Sequence, residues 1–257
     1  MILLLRSGFR EFPFTLLVIA LLVAVSLVLH QSVRAESIST EDKKVIDITY
    51  YPPASERAPV VILIPDTRCD RSVFRKLPLQ LQRAGFAVVT TDLRYKSLIA
   101  RARSREEAIR VLQSQDLYAP VTYDLKSVID YVAQRKEIDP GRIALLGTSY
   151  GSRVAIHAGV QYKAAALVLP SLSGDEALPG KGVRELLEEY NSKPVLLMTS
   201  EKDWGNNFRA AEDNRIYAGW GKGKRDLKIW PGSAHGVDIV EGKEASAFAI
   251  EWLKGNL

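Results

Sequence analysis

A series of short, unbroken apolar runs constrains this chain more than any other feature: "PVVILIP" from Pro59, "FAVVTTDL" from Phe86, "IALLG" from Ile143, "AAALVL" from Ala164 and "PVLLMTS" from Pro194. A strand with one wet face alternates apolar and polar residues, so continuous runs of strand length call for strands covered on both faces. "VIDITYYPP" from Val45 does alternate and reads as a half-exposed strand, and "DLKIWPG" from Asp226 supplies another. Helical spacing fills the gaps: Phe74 to Arg83 closed by Gly85, "YDLKSVIDYVAQRK" with Leu125, Val128, Ile129 and Val132 on one side, "VRELLEEY", the stretch near Phe208 to Tyr217, and "EASAFAIEWLKG". Strands alternating with helices predict an α/β fold with a mostly parallel sheet of about seven or eight strands and helices on both faces. No insertion after "AAALVL" is long enough for a large cap domain. Such a sheet takes its ligands at the carboxyl ends of its strands.

The amino terminus is of another kind. Arg6 and Arg10 flank the start of an apolar run from Phe12 to Leu29, and Val33-Arg34-Ala35 follows with small or apolar residues where a signal peptidase reads. Residues 1–35 therefore read as a signal peptide cut after Ala35, or as an uncleaved membrane anchor, since about 18 apolar residues just span a bilayer. Both readings put the remainder outside the cytoplasm, periplasmic or extracellular. Residues 36–44 are polar and read as a linker, leaving 45–257 as one domain. Cys69 is the only cysteine, which rules out an internal disulfide and a thiol metal cluster. The net charge of +5 falls to +3 without residues 1–35 (32 basic minus 29 acidic), too mild to argue for a nucleic-acid partner.

The chemistry concentrates at Gly147-Thr148-Ser149-Tyr150-Gly151, which lies between the run "RIALL" and the helix-like "SRVAIHAG". A serine on such a sharp strand-to-helix turn is exposed for nucleophilic attack, but its hydroxyl needs a base within hydrogen-bond reach. Of the three histidines, His30 falls in the amino-terminal segment and His157 reads as a packed helix residue, which leaves His235 in "PGSAHGVD". The imidazole needs a carboxylate to hold its tautomer. Asp203, just after "PVLLMTS", fits the chain order serine, aspartate, histidine; Asp175, after the preceding strand, is the substitute. Trp204, beside Asp203, reads as packing, with substrate stacking the alternative.

These motifs together resemble the α/β-hydrolase superfamily, and "IDPGRIALLGTSYGS" is most similar to its dienelactone-hydrolase-like and prolyl-oligopeptidase-like branches. The resemblance implies a hydrolase that needs no metal or organic cofactor and makes the Tyr150 N–H one oxyanion donor. The second donor falls in Pro65-Asp66-Thr67, where relatives often carry His-Gly; Thr67 is the expected donor and Asp66 the alternative. The expected activity is cleavage of a small-molecule carboxylic ester or related acyl bond through Ser149, His235 and Asp203. A peptidase or thioesterase of the same fold, or a catalytically silent binding module, are the alternatives. The basic stretch holding Arg94, Lys96, Arg101, Arg103, Arg105 and Arg110 reads as a solvated insertion that overhangs the pocket or touches anionic lipid only if its charges select substrates or surfaces.

Overall fold

The computed structural model describes residues 32–66, 69–94, 101–104, 106–107, 110–111, 116, 118–174 and 181–257. The predicted signal peptide or anchor (12–29), Thr67, Asp175, Lys96 and Arg105 lie outside the described residues.

Eight strands form one sheet: β1 (Arg34–Ser39), β2 (Val45–Tyr51), β3 (Ala58–Ile64), β4 (Ala87–Thr91), β5 (Ile138–Gly147), β6 (Ala166–Pro170), β7 (Val195–Ser200) and β8 (Arg225–Trp230). Their order is β1-β2-β4-β3-β5-β6-β7-β8. β2 runs antiparallel to both its neighbours, and β4 through β8 pair in parallel. The apolar runs explain the arrangement: Val60, Ile62 and Ile64 of β3 face one core, and Val61 and Leu63 face the other. The first core is closed by helices α2 (Lys126–Ala133), α3 (Tyr150–Gln161), α4 (Val183–Tyr190) and α5 (Ala210–Tyr217), through residues such as Val128, Val154, Leu186 and Tyr217. The second is closed by α1 (Leu77–Arg83) and α6 (Lys243–Lys254), through Leu77, Leu81, Ala249 and Leu253. The sheet therefore carries helices on both faces, as the continuous runs require.

Two expectations need correction. Residues 34–39, which include the start of the predicted linker, form β1, with Glu36 opposite Ile48 and Ile38 opposite Ile46. The segment is polar because β1 is an edge strand whose residues are mostly exposed; only Glu36 and Ile38 are half-covered. Arg94 does not belong to a solvated insertion. Its N–H and guanidinium bind Asp124, and its guanidinium also reaches Asp42 at 2.6 Å. Arg101, Arg103 and Arg110 are exposed.

Candidate active site

The turn after β5 is held by its neighbours on both sides. The Thr148 N–H donates to the Ile64 carbonyl of β3 at 3.0 Å, and the Ser149 N–H donates to the Pro170 carbonyl of β6 at 2.9 Å. The Ser152 hydroxyl donates to the Gly147 carbonyl at 2.6 Å. Both glycines are required by space: a Cβ at Gly147 would lie 2.0 Å from the Gly151 carbonyl oxygen, and one at Gly151 would lie 2.5 Å from the carbonyl oxygens of Ile64 and Pro65. This close packing forces Ser149 to φ 55° and ψ −117°, a conformation that costs a non-glycine residue on the order of 1–3 kcal/mol. The strain lifts its side chain off the carboxyl edge of the sheet while α3 begins at Tyr150.

Three loops converge there. His235, after β8, faces Ser149 with Nε2 2.8 Å from Oγ, and its Nδ1 lies 2.5 Å from Oδ1 of Asp203, after β7. Nδ1–H donated to the carboxylate leaves Nε2 to accept the serine proton, the tautomer that general-base chemistry requires. Asp203 is fully buried. Burial alone would raise its carboxyl, but hydrogen bonds from His235, the Ser171 hydroxyl and the Gly205 N–H bring it below the ordinary aspartate value. The histidine loop is fixed in turn by the Ser200 hydroxyl, which donates to the Ala234 carbonyl at 2.6 Å. Ser149, His235 and Asp203 are thus brought together, with Asp203 on the Nδ1 side of the imidazole and Ser149 on the Nε2 side.

One residue at this centre escaped the sequence reading. Ser171, the first residue after β6, donates to Asp203 Oδ2 at 2.5 Å and accepts the Gly236 N–H at 2.7 Å, so one hydroxyl ties the acid to the histidine loop. Its place at a strand end, like that of the other site loops, is the signal that could have found it. Trp204 is not packing of the ordinary kind. It remains 54% exposed and stacks on the His235 ring, with centroids 3.7 Å apart and planes inclined by 28°. A cleft of about 160 Å³ opens at the site, lined by Ser149, Tyr150, Arg153, Ser173, Trp204, Gly205, Asn206 and His235. The described part of the basic stretch does not line it.

The Tyr150 N–H opens α3 one residue beyond the serine, at the positive end of the helix dipole. The loop after β3 passes against the same turn, since Ile64 and Pro65 carbonyls crowd Gly151. Asp66 is half-buried and its carbonyl accepts the Cys69 N–H at 3.0 Å. Among the described residues no group of three or more His, Cys, Asp or Glu side chains has the spacing to hold a metal ion.

The profile of the Dienelactone hydrolase family matches residues 46–252. No curated protein sequence matches the chain. Similar solved structures include a cold-adapted esterase from an Arctic intertidal metagenomic library, with 17% identity, TM-score 0.68 and coverage of 89% of this chain and 95% of that one. A dienelactone hydrolase from Anabaena variabilis has 20% identity, TM-score 0.66 and coverage of 89% and 100%. The Pyrococcus furiosus esterase PF2001 has 16% identity, TM-score 0.63 and coverage of 90% and 93%. At these identities the likeness is one of fold.

Proposed function

Because the chain belongs to the dienelactone hydrolase family, we propose that it is an exported serine hydrolase, cleaving a small-molecule carboxylic ester or related acyl bond through an acyl-enzyme. The observation that carries this reading is the unbroken path from Ser149 Oγ through His235 to Asp203, with the serine held in a strained turn. Ser149 Oγ attacks the carbonyl carbon as its proton passes to His235 Nε2. Asp203 stabilises the resulting imidazolium and holds the ring. The carbonyl oxygen becomes an oxyanion, which the Tyr150 N–H and the Thr67 N–H receive, Asp66 being the alternative to Thr67. Collapse breaks the bond to the leaving group, which takes the proton from Nε2. Water then repeats the attack on the acyl carbon, with His235 again the base, and frees Ser149.

A fluorophosphonate probe and a panel of short-chain esters test this on the full chain and on Ser149→Ala. The expected result is labelling at Ser149 and turnover that falls by several orders of magnitude in the variant. Labelling without esterase activity points to the peptidase or thioesterase alternative. A folded protein that neither labels nor turns over is the silent binding module, and the hydrolase reading is then wrong.

A further inference from the structure

Trp204 is placed where a merely structural tryptophan gains little. It leaves more than half its surface in solvent, whereas packing stabilises a large aromatic by removing its area from water. Its position is nonetheless firmly set. The Gly205 N–H binds Asp203 Oδ1 at 2.9 Å, and a Cβ at Gly205 would lie 2.9 Å from Ser173 Oγ and 3.2 Å from His235 Cε1, so the loop is pressed against the histidine. The chain then passes through Asn206, Asn207 and Phe208 with φ of 48°, 55° and 66°, and Phe208 emerges 70% exposed. Three successive left-handed non-glycine residues are costly, and such strain collects at functional sites.

The geometry points to Trp204 as the specificity-determining wall for the leaving group, favouring esters of apolar or aromatic alcohols. The inference rests on the serine-hydrolase reading above. In acylation the Ser149 Oγ–carbon bond forms, the carbon–oxygen bond to the alcohol breaks, and the alcohol oxygen takes its proton from His235 Nε2. The departing group must therefore lie beside the imidazole, and the indole stacked on that ring lines the same cleft. At about 160 Å³ the cleft is smaller than the roughly 300–1,000 Å³ of drug-sized pockets, which suits one ring or a short chain.

The full chain, Trp204→Ala and Trp204→Phe are compared on benzyl acetate against ethyl acetate, and on ethyl acetate against ethyl butanoate. Aromatic contacts of this kind correspond to about three- to tenfold in rate. Trp204→Ala should lower the benzyl-to-ethyl ratio of kcat/KM by that factor, Trp204→Phe should restore most of it, and the acetate-to-butanoate ratio should hold. Equal losses on benzyl and ethyl esters would make Trp204 only a brace for His235 and overturn the proposal. A shift in the acyl ratio instead would move the wall to the acyl side and overturn it as well. In both cases Ser149 still labels and the hydrolase reading stands. If turnover of every ester survives Ser149→Ala, the hydrolase reading itself fails and this assignment falls with it.

Discussion

At the scale of single residues, the centre depends on groups that do no chemistry themselves. Ser171 donates to a carboxylate and accepts the Gly236 N–H, and hydrogen bonds to charged groups are worth about 1.5–3 kcal/mol. Ser171→Ala keeps the Thr199 hydroxyl on Asp203 Oδ2 at 3.0 Å, so the acid is loosened and not orphaned. We expect kcat/KM to fall about tenfold and stability to fall by about 1.5–3 kcal/mol, since the buried Gly236 N–H also loses its acceptor; an unchanged rate would mean that Thr199 and Gly205 suffice. Asp203→Asn should be far worse, on the order of 10⁴ in rate if it behaves as the equivalent change does in serine proteases, while Asp175→Asn should cost little. A dead Asp175→Asn enzyme would move the acid to the loop after β6. His157 shows the opposite use of an imidazole. It is buried edge-on to Tyr118 with centroids 5.4 Å apart, and its Nε2 has no hydrogen-bond partner among the described residues. Burial first, and then the Lys181 ammonium against the weaker pull of Glu189, push it down to about 4. The unfolded chain therefore takes up a proton that the folded one refuses. Stability should be full above about pH 6.5 and drop by up to about 3 kcal/mol as pH falls toward 4. His157→Phe should flatten that slope in denaturant melts at pH 7 and 4.5; an unchanged slope would assign the acid sensitivity elsewhere.

At the scale of elements, Arg94 joins three pieces of chain: the end of β4, the π-helical turn Pro120–Leu125 that precedes α2, and the turn between β1 and β2. Asp124 is fully buried, so Arg94→Ala would strand a carboxylate in the core. A loss of about 3–5 kcal/mol in urea unfolding is expected; a change under 1 kcal/mol would show that water reaches Asp124 and replaces the guanidinium. No reading of the sequence pairs these residues, because Asp124 and Asp42 lie 30 and 52 positions away and share no period with Arg94. A charge run looks solvated until its partners are placed. β1 was hidden for the related reason that an edge strand with an exposed face carries no apolar signature. What was legible followed from periodicity and spacing: the buried runs of β3 to β7, the turn around Ser149, and the strand-end positions of Asp203 and His235. The choice between packing and substrate stacking for Trp204 was not legible, because neighbours in sequence do not show which side of a ring is left to solvent.

At the scale of the whole molecule, β1 bears on the proposed export. A cut after Ala35 removes the first two residues of the strand and leaves Glu36 to Ser39 paired with β2. It also leaves the Glu36 carboxylate 3.4 Å from Arg135, whose guanidinium lies over the rings of Tyr50 and Tyr131 at 4.2 and 4.1 Å. That cluster covers the first core at the edge where β1 and α2 meet, so the cut falls at the last position that spares it. With one cysteine and hence no internal disulfide, an exported domain must stand on such packing. Protein recovered from the native host should therefore begin at Glu36, as amino-terminal sequencing would show. Intact Met1 in the membrane fraction would instead establish the anchor. A chain of residues 36–257 should unfold at the same urea concentration as the recovered protein. Removing residues 36–39 as well should cost on the order of 2 kcal/mol, because the burial of Ile38 is lost and Ile46, opposite it, is opened to water. Equal midpoints for the 36–257 and 40–257 chains would return residues 36–39 to the role of a linker.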